Sequence, residues 1–293
     1  AWGFAKGGTG SVSESIASAA RGHGAEIMTE AGVAEVTVKN GRTTGVVLDD
    51  GREYSSSVVV SGLDPKRTFL DLVDAKELPD DFVQDIERFK IRGSSGKVNL
   101  SLSELPNFTA KPGVGPLHKG AVSISPSIDY LERAYDEAKY GDFSSRPYMD
   151  IIMPSMIDAG MAPPGKHVMS IFVQYAPSDL RGGWNETKRE AFGDAVVDTL
   201  AQYAPNLPDA ILHRQVLTPW DIDRDMGLTD GNIFHGELSL HQLFCMRPTV
   251  GYADYTTPLR GYYQAGSGTH PGGGVTGASG RLAALEILKG ALR

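Results

Sequence analysis

Seven glycines crowd the fifteen residues GSGTHPGGGVTGASG, 266 to 280, and three of them, Gly272, Gly274 and Gly277, fall at the spacing G-x-G-x-x-G. At that spacing glycine lets a backbone approach a pyrophosphate, and a helix starting inside the motif aims free N–H groups at the phosphates. A dinucleotide loop needs a strand before it, a helix beginning within it, a second parallel strand, and an acidic residue about 20 positions on for the ribose. YYQAG offers the strand and SGRLAALEILKGAL the helix, but 16 residues after Gly277 leave no second strand. The stretch is therefore not a free-standing dinucleotide fingerprint. Two readings stay open: N–H groups at a strand-to-helix turn can stabilise an anion or a polarised carbonyl, or the glycines allow a tight connection and nothing more.

Other candidate chemistry is sparse. His235 and His241 flank GELSL six residues apart, without the i,i+4 spacing and intervening glutamate of a zinc helix, so no metal site is expected. Asp221, Asp223 and Asp225 in DIDRDMG imitate the start of a calcium loop, but the glycine comes one place late and Asn232 holds position twelve. A charged helix start is the better reading. The single cysteine, Cys245, excludes an internal disulfide framework and is read as a small buried residue. No serine sits in a G-x-S-x-G elbow.

The elements that must position these residues follow from periodicity. A helix is predicted over 11–21, with Val12, Ile16, Ala19 and Ala20 on one face. AEIMT, VAEVTV, TTGVVLDD and SSSVVVSG are strand-like runs, and Asn40-Gly41 and Asp50-Gly51 between them signal hairpins. Asp64-Pro65 closes this β-meander. From 65 to about 250, helices are predicted at 79–90, 127–139 and 186–204, and strands in GKVNLSLSEL, MDIIMPSM, HVMSIFVQYA and ILHRQVLTP. The expected fold class is α+β (α/β), with a mixed sheet and helices on one side.

A length of 293 residues and 41% apolar content allow one large domain or two ordinary ones. A net charge of −8 and the lack of a basic stripe argue against a nucleic-acid partner. No run reaches the roughly 18 apolar residues of a membrane helix, and the N-terminus has no signal-peptide core. A cytoplasmic or mitochondrial-matrix-like chain, soluble or peripheral, is expected, cut from something longer because it opens on Ala1 directly before a glycine turn.

WGFAKGGTGSVSESIASAARGHGAEIMTEAGVAEV at the start and GYYQAGSGTHPGGGVTGASGRLAALEIL at the end resemble the FAD-dependent phytoene-desaturase-related family, within the amine-oxidase-like flavoprotein superfamily. GLTDGNIFHGELSLHQLFCMRP is similar to one branch of it, and the resemblance runs from Trp2 to the C-terminal helix. It implies that FAD is held, non-covalently, by separate segments. Gly8, in the GGTG turn, leads to a helix beside the flavin; the Val33 backbone meets the adenine. Gly266, Ser267 and Gly268 lie beside the pyrophosphate and ribityl chain. Gly273, Gly274, Val275 and Thr276 form the helix start under the isoalloxazine. His235 and His270 are candidates to line the substrate cavity. By its own residue type, Val33 is also expected to be a buried strand valine.

The family's N-terminal G-x-G-x-x-G is missing, so about two fifths of such a protein would lie upstream of Ala1. The implied arrangement is a partial FAD-binding domain of 1–64 and 251–293 with a substrate-binding domain of 65–250. The resemblance implies hydride removal from an apolar or amine-bearing substrate, in a chain that is inactive or weakly flavin-binding by itself. No general base is nominated, because flavin takes the hydride itself. The alternative is a flavin-free interaction module that uses the exposed former FAD interface to bind a partner or to self-associate.

Overall fold

A computed structural model describes residues 3–291; Trp2, where the resemblance begins, lies outside them. The chain divides into two compact units, one holding the stretch up to Glu26 with Gly93–Met226, the other Ile27–Arg92 with the stretch from Gly227 onward. Helices and sheets are both present, as α+β requires. The unit boundaries fall at 26/27, 92/93 and 226/227, whereas the sequence reading placed them at 64/65 and 250/251.

In the first unit, α1 (Gly10–Gly22) follows the glycine turn, and strands β5 (Ser95–Leu102), β6 (Ala121–Ile124), β7 (Tyr148–Ile152), β8 (His167–Gln174) and β9 (Ile211–Leu217) form one sheet in the order β6-β7-β8-β5-β9. Every pairing in it is antiparallel, where a mixed sheet was expected. Antiparallel pairing lets one face stay polar. Val98, Leu100, Met149, Ile151, Met169 and Ile171 alternate onto the other face and bury against Phe192, Val196 and Leu200 of α4 (Glu186–Ala201). Asn185 caps α4 by accepting the Lys188 N–H at 3.0 Å. Gly96 and Gly193 bring helix and sheet together: an added Cβ would lie 2.5 Å from Phe192 Cε1 and 2.6 Å from Val216 Cγ2, respectively.

The remaining helices of this unit are capped locally. Ser127 accepts the Tyr130 N–H at the start of α3 (Ile128–Lys139). The short α5 (Leu207–Ala210) leads into β9. The aspartate run forms α6 (Pro219–Met226): buried Asp221 accepts from the Thr218 N–H at 2.9 Å and its hydroxyl at 2.7 Å, and pairs with Arg189 and Arg224. A charged helix start is thus what DIDRDMG encodes.

The second unit begins with an antiparallel meander, β1 (Val33–Lys39), β2 (Arg42–Leu48) and β3 (Glu53–Ser55), turned at Asn40-Gly41 with φ of +53° and +68°. AEIMT forms no strand; it has no ladder partner, and Ile27 and Met28 stay exposed. Of SSSVVVSG only β4 (Val59–Ser61) is strand, and it pairs in parallel with β10 (Tyr262–Gln264), about 200 residues away. After it, Asp64 Oδ1 accepts the N–H groups of Lys66 and Arg67, so Pro65 opens a helical turn. That segment and α2 (Asp80–Arg88) place Phe69, Phe82 and Ile86 against Leu259 and Tyr262, with ring centroids 4.9 Å apart for Phe69–Phe82. This packing explains why 65–92 belongs with the C-terminal segment. The unit ends in α7 (Ala278–Ala291).

Among the described residues no helix is long and apolar enough to cross a membrane. The α4–sheet contact makes a direct test: Gly193→Leu is expected to lower stability by about 1–3 kcal/mol through overpacking, read as a fall in melting temperature. Gly22→Ala, which meets nothing within 4 Å, is expected to leave it unchanged or slightly raised.

Candidate functional site

All the residues that the resemblance singled out lie in the second unit except Gly8, which lies in the first. Gly7 and Gly8 take φ of +81° and +89°, which glycine alone adopts without cost. The Gly7 N–H donates to Asp158 Oδ2 at 2.8 Å, and this contact holds the Asp158 carboxyl below its usual range. Ser11 Oγ donates to the Gly8 carbonyl at 2.7 Å and fixes the turn into α1. The apolar stripe predicted on α1 is there in sequence, but none of its residues is buried.

In the second unit the glycine stretch splits into two kinds of glycine. At Gly266 an added Cβ would lie 2.5 Å from the Gly62 carbonyl, and at Gly268 it would lie 2.7 Å from Pro65 Cδ. These two are required by the close approach of the β4 and β10 exits. At Gly272 nothing lies within 4 Å, and at Gly274 only Thr276 Cγ2 at 3.8 Å. That backbone faces open space. The N–H groups of Gly273 to Gly277 donate to no protein atom among the described residues, and α7 begins one residue later with Thr276 Oγ1 accepting the Ala278 N–H. Val275 holds φ of +55° and is exposed. An open turn, unpaired donors and a 14-residue helix starting beneath them form a cradle for a negatively polarised planar group. The residues present therefore fit a flavin edge.

Arg247, which the sequence reading passed over, organises the rest. It is 1% exposed, and its guanidinium donates to five carbonyls: Ser267 from Nε and Nη2 at 3.2 and 2.9 Å, Phe234 at 2.8 Å, Glu237 and Gln242 at 3.3 Å, and Gly236 at 3.5 Å. Burial pushes its pKa down to about 10, still far above neutrality, so it stays charged. It binds the 234–242 loop to Ser267. Gln242 and Glu237 in turn bond the main chain at Lys90. The only sequence sign of this was an arginine inside the motif-like block FCMRP.

The histidines part ways. His235 has φ of +54°, a conformation that costs a non-glycine residue about 1–3 kcal/mol. Its Nδ1 is buried without a partner. Burial pushes its pKa below the ordinary value, Asp64 pulls it up and Arg247 pushes it down. Asp64 itself accepts from Thr229 Oγ1 at 2.7 Å. His270 is held through its carbonyl, which accepts from Tyr255 Oη at 2.8 Å, and its ring lies 5.9 Å from Phe244. Gln264 Oε1, two residues before Gly266, is a second buried atom without a partner.

Two expectations are corrected. Val33 is not a buried strand valine: it opens β1 at 38% exposure, and the buried valine of that strand is Val36. Cys245 is exposed, because it sits in a turn where Phe244 takes φ of +53° and the neighbouring side chains point outward.

The central constraint has a measurable cost. Arg247→Met leaves five buried carbonyls without their donor and is expected to lose about 3–5 kcal/mol in chemical denaturation. Arg247→Lys is expected to fall between the two, since an ammonium keeps the charge but not the fork.

Known proteins converge on this geometry. Residues 2–288 match the family described as flavin containing amine oxidoreductase. The chain is 44% identical over 298 residues to pyridine nucleotide-disulfide oxidoreductase domain-containing protein 2 of Rattus norvegicus, covering 99% of this chain and 51% of that protein. It is 26% identical to a lycopene-forming phytoene desaturase of Paracoccus, over 94% of this chain and 53% of the relative. The chain thus spans about half the length of the curated relatives it matches. A solved oxidoreductase from Methanosarcina mazei shares the fold with a TM-score of 0.60 at 18% identity, over 97% of this chain and 55% of the other. With nearly the whole sequence inside the family match, this chain belongs to the flavin-containing amine oxidoreductase family.

Proposed function

We propose that the chain forms the C-terminal part of an FAD-dependent oxidoreductase. The observation that carries this reading is the open, donor-rich turn from Gly272 to Gly277, placed between a parallel strand and the start of α7. FAD would be held by Gly266 to Gly268 beside the pyrophosphate, by Gly273 to Thr276 under the ring, and by the Val33 backbone and the Gly8 turn. Bound FAD supplies hydride-accepting chemistry. The N–H groups of Gly274, Val275 and Thr276 and the positive end of α7 favour negative charge on whatever lies above them.

In this reading the second unit is the FAD-binding part and Gly93–Met226 the substrate-binding part. His235 offers a neutral imidazole with an unused Nδ1 to an apolar or amine-bearing substrate, and His270 lines the same cavity. The one cysteine lies in the exposed 244–246 turn, so the flavin is held without a covalent bond. By itself the chain is weakly flavin-binding and inactive.

A second reading, a flavin-free interaction module, is favoured by one observation. In the second unit Val58, Val60 and Leu63 are 40%, 45% and 41% exposed along β4 and its exit. Parallel strands are ordinarily covered on both faces, so this edge suits a partner chain or a second copy.

One titration separates the two. At FAD concentrations near ten times a weak Kd, the flavin reading expects about 1.4 kcal/mol of stabilisation, seen as a rise in melting temperature of roughly 3–5 °C. Val275→Asp, placing a negative charge at the exposed turn, should weaken that effect about tenfold. No shift with FAD, together with concentration-dependent self-association, would sink the flavin reading and support the second.

A further inference from the structure

The sheet of the first unit has a second face, opposite the α4 core, and strand register defines what stands on it. Ser123, Asp150, Phe172, Lys97 and Leu217 are successive cross-strand partners, so they form one row across all five strands. The next row holds Ala121, Ile152, Ser170, Asn99 and Gln215, with Asn99 Nδ2 donating to Gln215 Oε1 at 2.9 Å. Residues on this face are half-buried or exposed, in contrast to Val98, Leu100, Met149 and Ile171 on the core face.

The charges in the first row have no counter-ions. Asp150 accepts from Tyr148 Oη at 2.6 Å and from Ser123 Oγ, two neutral donors, and forms no ion pair among the described residues. Lys97 likewise has neither an ion pair nor a side-chain hydrogen bond among the described residues. Asp150 and Lys97 are separated by the β8 strand at Phe172, about 10 Å between their Cα atoms at two strand spacings. The surroundings of Lys97 pull its ammonium below the usual lysine range, and the carboxylate raises the Tyr148 phenol, so both sites are already partly desolvated. Isolated charges held this way are costly unless something pairs them.

We propose that this sheet face binds a small amino-carboxylate, with its ammonium end on Asp150, its carboxylate end on Lys97, and its apolar linker across Phe172. Tyr148 and Ser123 orient the Asp150 carboxylate, and Asn99 and Gln215 border the anionic end. The site lies within the first unit and does not depend on flavin in the second, so its failure and that of the proposed function are read separately.

Calorimetric titration of the chain with 6-aminohexanoate, 1,6-diaminohexane and adipate tests this. The expected result is binding of 6-aminohexanoate that Asp150→Asn and Lys97→Met each weaken at least about tenfold. The diamine should respond only to Asp150→Asn and adipate only to Lys97→Met. Unchanged melting curves show that the variants fold, and Lys97→Arg should retain binding if Lys97→Met does not fold. No binding of 6-aminohexanoate, or binding that neither substitution alters, would overturn the proposal.

Discussion

Arg247 places a permanent positive charge in the interior of the second unit and neutralises it with main-chain carbonyls alone. Five carbonyls converge on one guanidinium, and no carboxylate takes part. Because an arginine fork is planar and rigid, the carbonyls must come to it. The loop from Phe234 to Gln242 therefore curls around Arg247, and Gly236 must be glycine there: it has φ of +143°, and an added Cβ would lie 2.4 Å from the Phe89 ring. The same guanidinium grips Ser267, where β10 runs out into the glycine stretch. A single desolvated cation thus shapes both the loop that carries His235 and the strand exit that precedes the open turn.

The two units use opposite devices to leave backbone or charge available. In the second, glycines split between those that pack, Gly266 and Gly268, and those that face open space, Gly272 and Gly274. Only the latter leave donors for a ligand. In the first, an antiparallel sheet buries one face against α4 and keeps uncompensated charge on the other. Each device follows from a local rule, helix-terminus donors in one case and strand alternation in the other.

Much of the local structure was legible in the sequence. The predicted helix over 11–21 is Gly10–Gly22, the one at 127–139 is Ile128–Lys139, and Asn40-Gly41 turns a hairpin. What stayed hidden depends on partners far along the chain. SSSVVVSG looks like one more meander strand, but β4 pairs with β10, and no periodicity records that choice. AVSI, the strand β6, is four residues between glycine and proline signals and escaped notice. The unit boundaries follow from Phe69 and Phe82 packing on Tyr262, which only the folded chain reveals. The family was legible from its end motifs, whereas Arg247 was not, because an arginine reads as surface until its carbonyls are found.

The central claim is that the turn from Gly273 to Gly277 presents its N–H groups to a flavin. Amide hydrogen exchange of the chain, with and without FAD, measures those groups directly. The account predicts that exchange at Gly274, Val275 and Thr276 slows when FAD is added and that the Phe234–Gln242 loop, already held by Arg247, changes little. Exchange at those three residues that is the same with and without saturating FAD would contradict it.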